Sequence, residues 1–353
     1  MKVVAKALAA SACAWLIFHT PGLISAAAAQ GIDPVARMQQ LYTRIKTASN
    51  RTLVVYSAYP TMPPVLARFM KDYPEVQAVH EVASGAALRA RLQAEKESGN
   101  YSADIAISAP VDMVAIERDG YFQKYMPEYA ASLPDNFKSQ SNAIGIPFRT
   151  LFALTYNTSL VPANEVPQNL DQALNEKWKD RIGYATPTGY SAFDVCTGTL
   201  WYDHTLTEAQ LRKLHTIGKG IQANTEVITQ VAQGRMIIGL WGPSQTTYRL
   251  QLDNAPVQTK FLADMAVLFG PGAAMLAHAP HADAAKLFLE WLYSPHGQLA
   301  FAEEMGSYGT MPGAPLPKGQ PELTGYDVKD IPIDQSPEIL GRYRQITRAI
   351  WAN

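Results

Sequence analysis

Three times in its first third the chain repeats one pattern: a short apolar run, a loop of small residues, then apolar positions at helical spacing. Thr52–Tyr56 (TLVVY) ends in Ser57-Ala58-Tyr59-Pro60 and leads to Val65, Leu66, Phe69 and Met70. Val76–Val82 predicts a second strand, and Ser84-Gly85 opens a helix with Leu88 and Leu92 on its apolar stripe and Arg89, Arg91, Glu95 and Lys96 on its wet face. Asp104–Ile107 (DIAI) predicts a third strand, followed by Ser108-Ala109-Pro110 and a helix holding Met113 and Ile116. Strand, loop and helix in this order predict an α/β fold built on an open, mostly parallel sheet. Ligands of such sheets bind at the carboxyl ends of the strands. Helices that start there present free N–H groups and the positive end of a dipole.

The middle of the chain starts a second unit. Ile144–Tyr156 (IGIPFRTLFALTY) is extended and apolar, as expected of a segment crossing between lobes. Lys179–Gly183 runs into Tyr184–Phe193, a strand ending in a Gly/Ser/Thr loop. Helical patterns cover Leu206–His215 and Val227–Gln233, and Gly234-Arg235 turns into the strand Met236–Leu240. Trp241–Gln245 is a loop before a helix holding Tyr248 and Leu250. Met265–Phe269, with Gly270-Pro271-Gly272, predicts the second crossover. Ala279–Gln298 is an amphipathic helix with Ala285, Phe288, Leu289 and Leu292 on one face, started at Pro280 and Asp283 and stopped at Ser294-Pro295. A Pro/Gly-rich surface loop over residues 312–337 precedes a C-terminal helix, Pro337–Trp351. There is no fixed-period repeat.

The N-terminus sets the compartment. Lys2 and Lys6 precede an apolar run that includes Trp15, Leu16, Ile17 and Phe18, and Ala26–Ala29 offers a small-residue cleavage site. His19, Pro21 and Gly22 interrupt the run, which makes it a poor membrane span. The pattern is that of a cleaved signal peptide, residues 1–29, and a periplasmic protein. Cleavage leaves 324 of 353 residues, enough for two lobes. It also leaves 28 basic against 31 acidic side chains, which gives no reason to expect nucleic acid or an anionic membrane as partner. The mature chain keeps one cysteine, Cys196, so no internal disulfide is available.

Three stretches resemble the bacterial extracellular solute-binding proteins of the iron and sugar-phosphate type. They are SGAALRARLQAEKE (84–97) followed by SADIAIS (102–108), GRMIIGLWGPSQTTYRL (234–250) and APHADAAKLFLEWLYSPHGQ (279–298). The resemblance implies a two-lobe type II periplasmic binding protein fold, each lobe an open, mostly parallel sheet with flanking helices, joined by two hinge crossovers. It implies a small-molecule ligand in the cleft and delivery to an ABC permease in the inner membrane. Lobe one is then expected to take residues 30–147 and 265–310, and lobe two residues 148–264 and 311–353. A monomer is expected. A ligand that touches both lobes favours closure about the hinge.

The expected ligand contacts are the strand-end loops. In lobe one they are Ser57, Tyr59, Ser84, Gly85 and Ser108; in lobe two Thr188, Tyr190, Ser191, Trp241, Ser244 and Gln245. Arg149, beside the first crossover, is the direct charge contact, since a guanidinium fork suits carboxylate and phosphate oxygens. A structural role is open to each of them. Ser and Gly at helix starts act as caps, the three aromatics pack lobes, and Arg149 forms an ion pair.

Ferric-binding relatives use adjacent tyrosines in the loop that here reads Gly242–Tyr248. This chain has Ser244-Gln245-Thr246-Thr247 before a single Tyr248, and Tyr59 and Thr61 where those relatives place a histidine. A lone phenolate is weak support for Fe(III), so the expected ligand is an organic anion: a phosphorylated sugar, a phosphonate or a carboxylate. His278 and His281, at a helix entry, are expected to cap or face solvent rather than bind metal. No G-x-S-x-G, H-E-x-x-H or G-K-[ST] loop is present, and nothing selects His80, Asp104 and Ser108 as a triad. No catalysis, cofactor or metal is expected. The alternatives are a ferric-iron transport protein, a ligand-presenting partner of a two-component histidine kinase and, third, an enzyme on the same fold.

Overall fold

The computed structural model describes residues 33–59, 61–188, 191–323 and 329–352. The expected signal peptide and Tyr190 lie outside them. Helix α1 (Pro34–Thr47) starts on Asp33, whose carboxylate accepts from the Val35 and Ala36 amides. The chain then runs through β1 (Thr52–Ser57), α2 (Met62–Asp72), β2 (Gln77–Val82), α3 (Gly85–Ser98), β3 (Ile105–Ser108) and α4 (Pro110–Arg118). Strand β4 (Phe148–Asn157) is followed by α5 (Leu170–Ala173), β5 (Ile182–Ala185), α6 (Ala192–Tyr202), α7 (Glu208–Ile217) and β6 (Gly218–Ile221). Next come α8 (Asn224–Ala232), β7 (Ile238–Pro243), α9 (Ser244–Leu252), β8 (Val257–Lys260) and β9 (Val267–Phe269). The remainder is β10 (Gly272–Met275), α10 (Ala282–Tyr293), α11 (Pro295–Ala300), β11 (Tyr308–Gly309) and α12 (Ser336–Trp351).

Two sheets divide these strands. The first has the order β10-β3-β1-β2, with β1 parallel to both neighbours and β10 antiparallel to β3. The second has the order β11-β4-β7-β5-β6, with β8 and β9 also pairing with β4. It is more mixed than the repeated strand–helix pattern predicts. β4 is antiparallel to β7, β8, β9 and β11, and the parallel strand pairs are β5 with β6 and β5 with β7. Each sheet has its own core. Leu53, Val55, Ile105, Ile107, Phe288 and Trp291 belong to the first, and Leu154, Ile182, Phe193, Leu214, Ile238 and Trp241 to the second. Cys196 is fully buried in the second core, where desolvation holds its thiol well above the ordinary range, and so it behaves as a small apolar side chain.

Among the described residues the chain passes between the sheets three times. β4 begins with Phe148 in the first core, packed on Phe301, and continues with Phe152 and Leu154 in the second. The return falls at Gly270-Pro271, between β9 in the second sheet and β10 in the first. A third passage, expected between residues 310 and 311 from the lobe bounds, comes earlier: it follows a single π-helical turn at Phe301–Met305, after which β11 joins β4. A Cβ on Gly270 would overlap the Phe148 carbonyl, so the first two passages touch backbone to backbone.

The segment before α12 and the helix itself lie against both units. Tyr343 and Ile350 belong to the second core, while Ile331, Ile339 and Leu340 pack between Val111 of α4 and Val195 of α6. Arg118 of α4 pairs with Glu338 at 2.8 Å, and the Gln140 amide donates to the Asp334 carboxylate at 3.0 Å. No described helix is long and apolar enough to cross a membrane.

Candidate functional site

At the carboxyl ends of the first sheet the structure gathers four of the five expected residues. Ser57 is fully buried at the end of β1, and its Oγ accepts from the Tyr59 amide at 3.0 Å. Ser108 is fully buried at the end of β3, and its hydroxyl donates to Asp112 Oδ2 at 3.0 Å. Gly85 starts α3 with φ +54° and donates its backbone N–H to the same carboxyl group. Tyr59 is near enough to Asp112 that the carboxylate, together with burial, raises its hydroxyl pKa. Ser84 sits apart, exposed at the N-cap of α3 without a capping side-chain bond.

Asp112 therefore organises this wall, and the sequence reading missed it. It is the third residue of α4, whose N-cap is Ala109, a residue with no side-chain acceptor. Burial pushes its pKa up, against the lowering by Ser108 and Gly85. The spacing Ser108-x-x-x-Asp112 was the available signal. The consequence is electrostatic, because donors that would greet a ligand's anion already hold an anion of the protein.

The second sheet repeats the device at α6. Ser191 is the N-cap and Asp194 the third helical residue, bonded reciprocally as a capping box. Asp194 is 3% exposed. Its Oδ2 accepts from the Thr188 amide at 3.1 Å, the Ser191 amide at 2.9 Å and the Ser191 hydroxyl at 2.6 Å. Thr188 and Ser191 thus meet, again on a carboxylate; here the signal Ser-x-x-Asp was present.

The start of α9 differs. Its N-cap is Pro243, its first turn contains no acid, and no side chain caps it. Ser244 is 1% exposed, and neither its Oγ nor the buried Oε1 of Gln245 has a hydrogen-bond partner among the described residues. Trp241, three residues earlier, faces the core. It is fully buried with φ +52°, donates its ring N–H to the Met265 carbonyl at 2.9 Å and packs edge-on against Phe193 at 5.4 Å. Its carbonyl accepts from Asn224 at 2.9 Å. The loop expected at Trp241–Gln245 is instead the end of β7 and the first turn of α9, and Trp241 fixes the strand end that leads into Ser244. Tyr248, on α9, lies against Gly319 and lines a groove with Arg249 and Lys318.

Arg149 lies on β4. Side chains alternate along a strand, so Arg149, Leu151, Ala153 and Thr155 share a face. Thr155 bonds Thr247 of α9 at 2.8 Å, which places the start of α9 and Arg149 over one face of β4. Phe148 points the other way, edge-on to Tyr59 at 5.6 Å. The Arg149 guanidinium stacks over Phe137 at 4.4 Å, and its Nε is buried without a hydrogen-bond partner among the described residues. Desolvation lowers its pKa, and the nearby Asp330 carboxylate raises it. Asp330, a third carboxylate absent from the sequence reading, is held up at about 6 by burial, against lowering by Arg149, the Ile331 amide and Asn136. Nothing in its local pattern marks it.

The histidine pair is occupied elsewhere. His281 donates its amide to Asp104 Oδ1 at 2.7 Å, and its Nδ1 lies 3.0 Å from Asp104 Oδ2. His278 stacks on Tyr101 at 4.3 Å. Among the described residues no group of three or more His, Cys, Asp or Glu side chains is placed to hold a metal ion.

Comparison with solved structures gives the fold a wide set of counterparts. Iron-bound HitA from Pseudomonas aeruginosa aligns with a TM-score of 0.70 at 17% identity, over 85% of this chain and 99% of its own. The substrate-binding protein of an ABC transporter from Agrobacterium tumefaciens gives 0.72 at 16% identity, over 85% and 95%. AfuA from Actinobacillus pleuropneumoniae, with fructose-6-phosphate bound, gives 0.70 at 19% identity, over 86% and 98%. The architecture is that of the two-lobe type II periplasmic binding proteins. No curated protein sequence matches the chain. The profile of the bacterial extracellular solute-binding proteins matches residues 65–324, well over half of the chain. The chain belongs to that family.

Proposed function

We propose that the protein is the periplasmic solute-binding component of an ABC importer, and that its solute is a small organic anion held between the lobes. Family membership supports the transport role, and the alignment with the Agrobacterium transporter component agrees with it. The nature of the solute rests on a single observation: the uncapped start of α9, with the unpartnered Ser244 hydroxyl and Gln245 carbonyl over the same strand face as Arg149. Of the three helix starts described above, at α4, α6 and α9, only the last is free of an internal carboxylate. Open N–H groups, a hydroxyl and a guanidinium together suit carboxylate or phosphate oxygens. Asp112 and Asp194 give the remaining walls acceptors instead, which suits hydroxyl groups on the same solute. A phosphorylated sugar, a phosphonate or a carboxylate meets these terms. The protein acts as a monomer, and neither catalysis nor nucleic acid has a role in this function.

Calorimetric titration of the mature chain tests it, with sugar phosphates, phosphonates, dicarboxylates and Fe(III) as the panel. One-to-one binding of an organic anion is expected. Arg149→Ala should weaken it about 100-fold, the usual cost of losing a charged hydrogen bond. Tight Fe(III) binding with a visible phenolate charge-transfer band, as would befit a protein closer in use to HitA, would overturn the organic-anion reading.

A further inference from the structure

Arg149 and Asp330 each bury a polar atom that has no partner among the described residues. The Nε of Arg149 is a donor without an acceptor, and the Oδ2 of Asp330 is an acceptor without a donor. The two groups act on each other electrostatically, yet they form no hydrogen bond or contact ion pair. Opposite charges that close would ordinarily move together, because each loses its hydration when buried. Here both are held apart. Arg149 is pinned on Phe137, while Asp330 accepts from its neighbour's amide, Ile331 N–H, at 2.9 Å and is bonded by Asn136.

The charges around the pair do not fill the gap. Lys329 is engaged with Asp203 at 3.1 Å, Lys138 with Asp135 at 3.0 Å, and Arg118 with Glu338. Asp334 accepts from Gln140, and Glu117 from Ser141. Tyr308, opposite Arg149 on β11, gives its hydroxyl to the Pro321 carbonyl. Arg149 is the charge that lowers the pKa of Asp330 against the effect of burial.

We infer that Arg149 and Asp330 form one bifunctional subsite that selects an anion carrying an O–H beside its oxyanion oxygen. The oxyanion oxygen accepts from Arg149 Nε–H, and the neighbouring hydroxyl donates to Asp330 Oδ2. A 2-hydroxy acid has this arrangement, and so does a singly protonated phosphate monoester. A simple carboxylate has only the first half, and brings a second negative charge toward Asp330 with no proton between them. The inference rests on the reading of Arg149 as the solute's charge contact, and it narrows the solute class that reading allows. It also gives the segment before α12 a place in recognition, since Asp330 enters the site from there.

Malate and succinate differ by one hydroxyl, and glycerol 3-phosphate carries the phosphate form of the same group. Each is titrated against the mature wild-type chain and against Asp330→Asn, Asp330→Glu and Arg149→Ala, with thermal unfolding confirming that every variant is folded. Malate should bind the wild type at least about 10-fold more tightly than succinate, as expected for one buried hydrogen bond. Asp330→Asn should collapse that ratio toward one, chiefly by strengthening succinate. Asp330→Glu, which keeps the charge, should keep the preference. Equal binding of malate and succinate to the wild type, or an unchanged ratio in Asp330→Asn, overturns the inference. The same result assigns the gap to a bridging water. If Arg149→Ala still abolishes binding in that case, the broader reading stands. If none of the three probes binds the wild type, the inference falls, and the broader reading is decided by the wider panel of anions.

Discussion

The helix starts at the mouths of the two sheets are built from the same residue type in different settings. Asp112 and Asp194 are each the third residue of a helix that follows a strand. At α6 the N-cap is Ser191, and the carboxylate closes a loop upon itself, bonding the residues just before it. At α4 the N-cap is Ala109, which offers no acceptor, and Asp112 reaches outward to Ser108 and to Gly85 of another helix. One residue at the cap thus decides whether an acid serves its own helix or ties two helices together. The lobe-two wall is a local structure; the lobe-one wall is a tertiary one.

Removing the acids should separate the two cases. Asp194→Ala leaves the Thr188 and Ser191 amides and the Ser191 hydroxyl without their acceptor in a buried place. A loss of about 3 kcal/mol is expected in urea unfolding, combining a lost cap with unsatisfied donors. Asp112→Ala should cost less, about 1–2 kcal/mol, because the site is partly open and water can replace the carboxylate. Its distinguishing effect should be local. Amide exchange should quicken at the start of α3, where Gly85 loses its acceptor, whereas Asp194→Ala should leave that helix unchanged. Asp112 should also make stability depend on pH. Because the fold raises the pKa of Asp112 above 3.8, the native state binds its proton more readily than the unfolded chain. That contribution favours folding at low pH and is lost as pH rises through the native value. Asp112→Asn should remove this acid-side gain. The smallest effect, a gain of about 1 kcal/mol, is expected from Ala109→Ser, which supplies the missing cap. A loss of stability would show that Asp112 cannot serve both its own helix and α3.

The same contrast explains what was legible in the sequence. Strand and helix were readable in both sheets because periodicity is local; the loop expected at Trp241–Gln245 was not, since β7 runs straight into α9 there. The capping box at Ser191-x-x-Asp194 is a local signal too, although the loop was read for its hydroxyls rather than for its acid. Asp112 left only the local spacing Ser108-x-x-x-Asp112 and Asp330 left nothing, because their other partners are distant. The first acts on Gly85, 27 positions earlier, and the second on Arg149, 181 positions earlier, and no spacing rule spans such distances. Trp241 shows the opposite failure. Its place in a strand-end loop suggested a ligand contact, but the left-handed backbone turns the ring into the core, where its N–H is already used. Strand β11 was hidden for a simpler reason: it is two residues long, too short to leave a pattern, and the third passage between the sheets therefore falls a few residues before the expected bound at 310.

That third passage has a mechanical consequence. Two bodies tied by a single ribbon can bend, twist and slide against each other. Here β4, Gly270-Pro271 and the turn before β11 cross side by side, with Gly270 against the Phe148 backbone and β11 paired to β4 at Phe148 and Arg149. Twisting would stretch one tie while slackening another, and sliding would shear the strand pairing of β11 on β4. What stays soft is rotation about the line through the ties. The position of one lobe relative to the other then reduces to a single angle, and one distance measured across the gap describes the whole motion.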